Sequence, residues 1–463
     1  MKVNVSRSAT TPAVTADGER LVSHAGVGML AELADRTGLT AALSRLFTVQ
    51  GSRWRRHPPG VTLVRAAAGI ATGMSNVSTV GLFCSSRAAI FEQPAALSTV
   101  RRAIFALGGE LMTPGLDRVL AAARTRAWDA ARYAPVSLTI DVDATLLACH
   151  SDKELAAPTY KSGYGFHPLG MWLDETREPL AMLLRPGNAG SNTAADHCDV
   201  LLRSIAQLPQ PYRAGHGIGD DAADVAHPIL VRADGAGATK TFLAELGSRN
   251  IGFSVGFTMD PTIRDLIEHA PEQGWRPAVN TDHSERHGAQ VIELCGFTGT
   301  NGWPRGARLI CRREDPHPGA TLSMFDQIHG RRHTLFLTNS TEQDIAGLEL
   351  RHRHHARVED RIRCWKATGA VRQPYWDAAA NEAWLNTTLI AVTLIVWAQL
   401  IGFDGDLAVA EPDTFRTKVL HIAGQTATRA RRLILHLDSH WPWTHATVTA
   451  YQRIRQAFPA AVT

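Results

Sequence analysis

Apolar residues in the first third of the chain recur at helical spacing. Across residues 27–46 they fall at Met29, Leu30, Leu33, Leu39, Leu43 and Leu46, with a break near Gly38. This predicts two short helices joined by a tight turn. A basic loop, Arg53-Trp54-Arg55-Arg56, and the breaker Pro58-Pro59-Gly60 come next, then a helix from Thr62 and further helices over residues 99–131. At Pro135 the pattern changes. Residues 136–147 are β-branched and apolar around Asp141 and Asp143, and residues 168–173 and 179–184 flank a polar turn at 174–178, which is a hairpin signal. A helix over 192–208 with Ser191 as N-cap, a strand over 229–233, a helix over 241–249 and a strand over 252–257 complete an alternating α/β segment.

From 258 to 339 no long helix is apparent. Short alternating runs at 278–281, 290–294, 308–311 and 334–337 predict a β-rich insertion. Helical spacing then returns, with Val358, Ile362 and Trp365 on one face. Residues 389–403 resemble a membrane span, but Thr393 and Gln399 interrupt a run shorter than the ~20 residues a span needs, so a buried core helix over 385–400 is expected. The tail from Thr414 reads as helical and basic, with Arg429, Arg431 and Arg432 close together.

Composition narrows the class. The chain has 463 residues, 44% hydrophobic and 20% charged, which suits a globular protein of roughly two to four domains. A net charge of +4 does not by itself demand a nucleic-acid partner. Cys84, Cys149, Cys198, Cys295, Cys311 and Cys364 contain no C-x-x-C pair. That argues for reduced thiols and a cytoplasmic protein rather than a cysteine zinc site. The N-terminus has no signal-peptide core.

Three segments carry chemistry. Asp141 and Asp143, two apart in a strand, project from one face, and two carboxylates in an apolar strand need compensation. A divalent metal supplies it; so would a neighbouring Arg or Lys. Asp234 ends a second short apolar strand, where ligand sites of open α/β sheets lie, although a turn-capping Asp looks the same. Glu359 sits among Arg351, Arg353, Arg357, Arg361, Arg363 and Lys366. So dense a positive charge calls for phosphates or acids, and the segment itself holds few acids. Three such carboxylates would suit two Mg²⁺ or Mn²⁺ ions about 3.5–4 Å apart. His352, His354 and His355 lack a partner cluster at zinc-ligand spacing. Arg53, Arg55 and Arg56, beside Trp54, are candidate contacts to a DNA backbone. Trp275 and Trp303, in the insertion, read as core residues of a β domain.

The ordered set resembles a known family, the DDE transposases of bacterial insertion sequences, of the thirteen-eighty type with a β-strand domain inserted before the Glu. The segments that carry the resemblance are Ile140-Asp141-Val142-Asp143-Ala144-Thr145, Tyr160-Lys161 through Phe166-His167-Pro168-Leu169, Leu184-Arg185-Pro186-Gly187-Asn188, and Leu230-Val231-Arg232-Ala233-Asp234-Gly235. Glu359 and Lys366 match the spacing of the family's third motif, but its Tyr and Arg positions hold His352 and His355. The resemblance implies Asp143, Asp234 and Glu359 as metal ligands and catalytic residues, with Asp141 as a second candidate for the first ligand. It implies Lys366 as a phosphate contact; His352, His355, Arg357 and Arg361 join it as DNA-binding candidates.

The resulting expectation is an α/β fold: an RNase H-like core, a mixed sheet flanked by helices, split by a β-rich insertion. The expected boundaries are 1–132 for a helical DNA-binding region, 133–258 and 341–410 for the core, 259–340 for the insertion and 411–463 for a helical tail. The function implied is Mg²⁺- or Mn²⁺-dependent cleavage of double-stranded DNA at terminal inverted repeats and strand transfer into target DNA, by a homodimer away from membranes. The competing readings are an RNase H-like nuclease or resolvase without strand transfer, and an inactive DNA-binding descendant.

Overall fold

The structure is a computed structural model that describes residues 18–49, 57–86, 90–91, 94–109, 111–294, 302–430 and 432–458. Six helices open it: α1 (Gly28–Arg36), α2 (Leu39–Val49), α3 (Pro59–Ala71), α4 (Val77–Ser86), α5 (Leu97–Phe105) and α6 (Thr113–Ala131). The α1–α2 break falls at Gly38, whose φ of 76° suits glycine. Any side chain there would also meet the Arg126 guanidinium. α3 starts earlier than Thr62 because Pro59 fills the first helical position, where no N–H is needed.

The chain then enters β1 (Leu138–Ala144), β2 (Leu169–Leu173), β3 (Pro179–Leu183), α7 (Ala194–Ala206), β4 (Ile229–Ala233), α8 (Lys240–Ser248) and β5 (Gly252–Phe257). β1 pairs antiparallel with β2, and β2 with β3; β1 runs parallel to β4, and β4 to β5. Ser191 does not cap α7: Thr193 holds the N-cap position, and its side chain makes no capping bond.

The segment 259–340, expected as an insertion, contains α9 (Pro261–Glu268), β6 (Arg276–Val279), β7 (Glu285–Glu293), β8 (Arg308–Glu314), α10 (Met324–His329) and β9 (Arg332–Thr338). Its strands add to the same sheet. β9 pairs antiparallel with β5, giving nine strands in the order β6-β7-β8-β9-β5-β4-β1-β2-β3.

Two layers cover the core strands. On one face Ile140, Val142, Val231, Phe253 and Val255 meet Val200 and Leu201 of α7 and Phe242, Leu243 and Leu246 of α8. The opposite face carries α11 (Ile345–Arg353), α12 (Arg357–Trp365) and α13 (Ala378–Gly402). There Trp172 and Met182 pack with Val358, Ile362, Trp365, Leu385 and Leu389. Each such aliphatic side chain contributes about 1.5–3 kcal/mol by burial.

α13 has 25 residues, longer than its sequence pattern suggested, and is long and apolar enough to cross a membrane. Here it is buried on all sides instead. Leu385, Leu389, Val392 and Val396 face the sheet, while Trp384, Leu394, Ile395 and Trp397 join the opening helices. Its apolar composition all round follows from serving two cores.

The tail departs from the helical expectation. Gly424–Arg429 (β10) and Arg432–Leu437 (β11) form a hairpin, and only Thr444–Ala457 (α14) is a long helix. Leu21 and Val22 pair with Gln425 and Gly424, so both ends of the described chain share one small sheet.

Candidate active site

The pleat of β1 sends Ile140 and Val142 into one core and leaves Asp141 and Asp143 on the face that carries α12. Val142 is paired with Ala233 of the parallel strand β4, so the next residues along, Asp143 and Asp234, lie side by side at the strand ends. After Ala233 the chain turns tightly. Asp234 Oδ1 accepts the Ala236 N–H at 2.9 Å and caps a 3-10 turn over Gly235–Gly237. Gly256 of β5 permits this turn, because a Cβ there would approach the Gly235 nitrogen to 2.9 Å.

The third carboxylate comes from α12, which is anchored by buried Val358, Ile362 and Trp365. Glu359 is exposed in its first turn, and Lys366, two turns on, shares its flank. Lys366 Nζ donates to the Leu146 carbonyl at 3.0 Å, just past the end of β1. Burial holds the Lys366 pKa below its usual value, against the pull of the nearby Asp143 charge.

The Asp143 carboxyl is pushed up to about 6, first by burial, then by the negative charge of Asp234, with Glu359 adding to it. Asp143 thus sits close enough to the other two acids for their charges to oppose its ionisation. Among the described residues no group of three His, Cys, Asp or Glu side chains is already gathered as a metal cage. The donor set nonetheless fits a hard divalent cation. It is all carboxylate oxygen, and the adjacent Lys366 ammonium and His355 ring are turned elsewhere, Lys366 to a carbonyl and His355 to Asp141.

Asp141 has a different environment. Its Oδ1 and Oδ2 accept from Arg232 Nε and Nη2 at 2.8 and 2.7 Å, and Oδ1 also accepts from His355 Nδ1 at 2.9 Å. Burial alone would raise its pKa, but these bonds outweigh burial and hold it below the ordinary carboxylate value. With both oxygens engaged, Asp141 is poorly placed to be the first metal ligand.

The two histidines at the Tyr and Arg positions both point inward. His352 stacks on Phe336 with ring centroids 4.5 Å apart, and its Nδ1 lies 3.0 Å from Ser254 Oγ. Burial, then the neighbouring His355, push it down to about 3, so it is neutral. The cations around Glu359 find acids both nearby in sequence and far from it. Arg351 pairs with Glu342, Arg353 with Glu349, Arg357 with Asp174, and Arg363 with Asp360 and Glu411. Arg361 makes no direct hydrogen bond among the described residues, and burial lowers its pKa. Arg53, Arg55 and Arg56 lie outside the described residues, as does Arg431. Trp275 is a buried residue with Arg313 over its ring, whereas Trp303 is partly exposed against Phe257 at the end of β5, with Lys240 over its ring.

Sequence reasoning missed Arg232 and Asp174. Arg232 stands in the otherwise apolar strand Ile229–Ala233, and a charge there must be paired, which was the available signal.

A profile of the family described as Transposase DDE domain group 1 matches residues 7–459. The chain belongs to this family of DDE transposases, whose activity is DNA cleavage and transfer. No curated protein matches. Among solved structures, a cryo-EM piggyBac transposase synaptic complex with hairpin DNA is similar over 84% of this chain and 79% of that one, with 10% identity and a TM-score of 0.42, too loose a likeness to carry argument.

Proposed function

We propose that this protein is an insertion-sequence transposase with an RNase H-like core, acting on the terminal inverted repeats of its own element. The observation that carries the reading is the placing of Asp143 and Asp234 side by side at the ends of two parallel strands, on the face that carries the Glu359 helix. The order β3-β2-β1-β4-β5, antiparallel twice and then parallel twice, supports the RNase H-like assignment.

In this reading Asp143, Asp234 and Glu359 would hold Mg²⁺ or Mn²⁺. A bound divalent ion supplies charge neutralisation at a scissile phosphate and a nucleophile usable at neutral pH. The chain's own residues position the DNA. Lys366, on the same flank of α12 as Glu359, contacts a phosphate beside the site. Arg357 and Arg361 occupy the opposite flank, so they meet DNA only away from the carboxylates. Assembly as a homodimer on paired ends, in the cytoplasm and free of membrane, belongs to the same proposal.

A second reading, a DNA-binding descendant that no longer cuts, is favoured by one observation: the carboxylates are not gathered into a cage. The test is incubation with labelled DNA bearing the ends that flank the gene, a target plasmid and Mg²⁺. Ends joined covalently to the plasmid are expected. Cutting without joining would leave a nuclease, and binding without cutting would leave the descendant.

A further inference from the structure

Asp141, Arg232 and His355 are not isolated contacts. Asp141 is two residues before Asp143, Arg232 two before Asp234, and His355 four before Glu359. In a strand an offset of two returns to the same face, and in a helix an offset of four is about one turn. Each candidate metal ligand is therefore one structural repeat from a member of a single hydrogen-bonded cluster.

We propose that Asp141, Arg232 and His355 form a buried positioning network that sets the relative placement of Asp143, Asp234 and Glu359, and so the affinity of the site for a divalent cation. The proposal rests on the metal-site reading above and adds to it what aligns the ligands.

The geometry has few loose parts. The Arg232 guanidinium meets Asp141 through Nε and Nη2, the Arg351 carbonyl through Nη1 at 2.8 Å, and Asp174 Oδ2 through Nη2 at 2.9 Å. Arg351 lies in the last turn of α11, just before the corner from which α12 departs. One planar cation thus ties β4, β1, the β2–β3 turn and the α11–α12 corner together, and a lysine could not fill that fork. His355, within the corner itself, returns to Asp141 and fixes the first turn of α12 against β1.

The energetics favour placement over stability as the role. Asp141 and Arg232 are almost wholly buried, at 2% and 1% exposed. Replacing a buried ion pair with apolar side chains of similar volume is often neutral or stabilising. An apolar pair would fill this space but would not direct two strands and a helix corner to one point.

The test is Mn²⁺ binding to the full chain, followed by the electron paramagnetic resonance signal of free Mn²⁺, which requires no DNA and no turnover. Asp141→Asn and His355→Ala are expected to weaken Mn²⁺ binding 10–100-fold, the usual cost of removing a group that orients metal ligands. His355→Asn, which keeps an N–H near the position of Nδ1, is expected to recover most of that loss. Asp117→Asn breaks a different buried pair, with Arg203, and is expected to leave Mn²⁺ affinity unchanged. Wild-type affinity in folded Asp141→Asn and His355→Ala would overturn the proposal. If Asp141→Asn does not fold, His355→Ala decides, its side chain being 13% exposed at the edge of the network. If Asp234→Asn binds Mn²⁺ as the wild type does, the metal-site reading itself fails and the network loses its purpose; a normal loss in Asp234→Asn with none in the network variants refutes the network alone.

Discussion

Asp143 and Asp234 lie one step beyond the paired residues Val142 and Ala233 of two parallel strands, and the Asp143 carboxyl is pushed up to about 6 by burial and by the charge of its neighbour. A carboxyl whose folded pKa exceeds its unfolded value binds its proton more tightly when folded. Its contribution therefore favours the fold at low pH and is lost as pH rises from about 4 to about 6. The variant Asp143→Asn, which cannot ionise, is expected to melt above the wild type at pH 8, by an amount on the order of 1–2 kcal/mol after allowance for solvent screening. The difference should vanish below pH 4. Differential scanning calorimetry across this range, without added metal, checks it; a lower melting temperature for the variant at pH 8 would contradict it.

The same strain predicts a response to cations. A ligand that binds only the folded state stabilises it by mass action. Millimolar Mn²⁺ should raise the melting temperature of the wild type and leave that of Asp143→Asn nearly unchanged. An equal rise in both would place the bound ion elsewhere.

Glu178 holds the helical body to the sheet. It is fully buried and accepts Arg124 Nε at 2.7 Å, Trp128 Nε1 at 2.7 Å and Trp397 Nε1 at 2.8 Å. These partners come from α6 and α13. Glu178→Ala leaves the Arg124 charge buried without its acid and is expected to cost about 3–5 kcal/mol. Urea denaturation should show a correspondingly lower midpoint, with Glu178→Gln intermediate.

Lys366 is expected to neutralise one DNA phosphate. Lys366→Ala should weaken binding to all DNA sequences alike and reduce the slope of log affinity against log salt by about one. Fluorescence anisotropy over 50–200 mM salt measures this; an unchanged slope would remove Lys366 from the interface.

Much of the fold could be read locally. The strand over 252–257 and the apolar face Val358, Ile362 and Trp365 follow directly from periodicity, because burial on one side writes its period into the sequence. The tail could not be read this way. β10 is Gly-Gln-Thr-Ala-Thr-Arg, with little apolar alternation, and its partner Leu21–Val22 lies some four hundred positions away. The full length of α13 was hidden because a helix buried on all sides has no polar face to mark its period.

The site divides the same way. The three carboxylates were proposed from their strands and helix and from the family resemblance, and the structure puts Asp143 and Asp234 side by side. The choice between Asp141 and Asp143 was not legible, since the pleat puts both on one face. What bears on it are contacts that span 91 and 214 residues of chain, from Arg232 and His355 to Asp141, which engage both Asp141 oxygens. Likewise the charge on α12 looked unmatched partly because two of its acids, Asp174 and Glu411, come from elsewhere in the fold, whereas Asp360 pairs with Arg363 within the helix.

The central claim is that Asp143, Asp234 and Glu359 form one DNA-cutting centre. The most direct measurement is the rate of nicking at the element's end in Mn²⁺ by the wild type and by Asp143→Asn, Asp234→Asn and Glu359→Gln, each with its DNA affinity measured alongside. The account predicts a loss of about a thousandfold or more for every variant, corresponding to at least ~4 kcal/mol of lost transition-state stabilisation, with DNA affinity retained. Nicking at the wild-type rate by any of the three would contradict it.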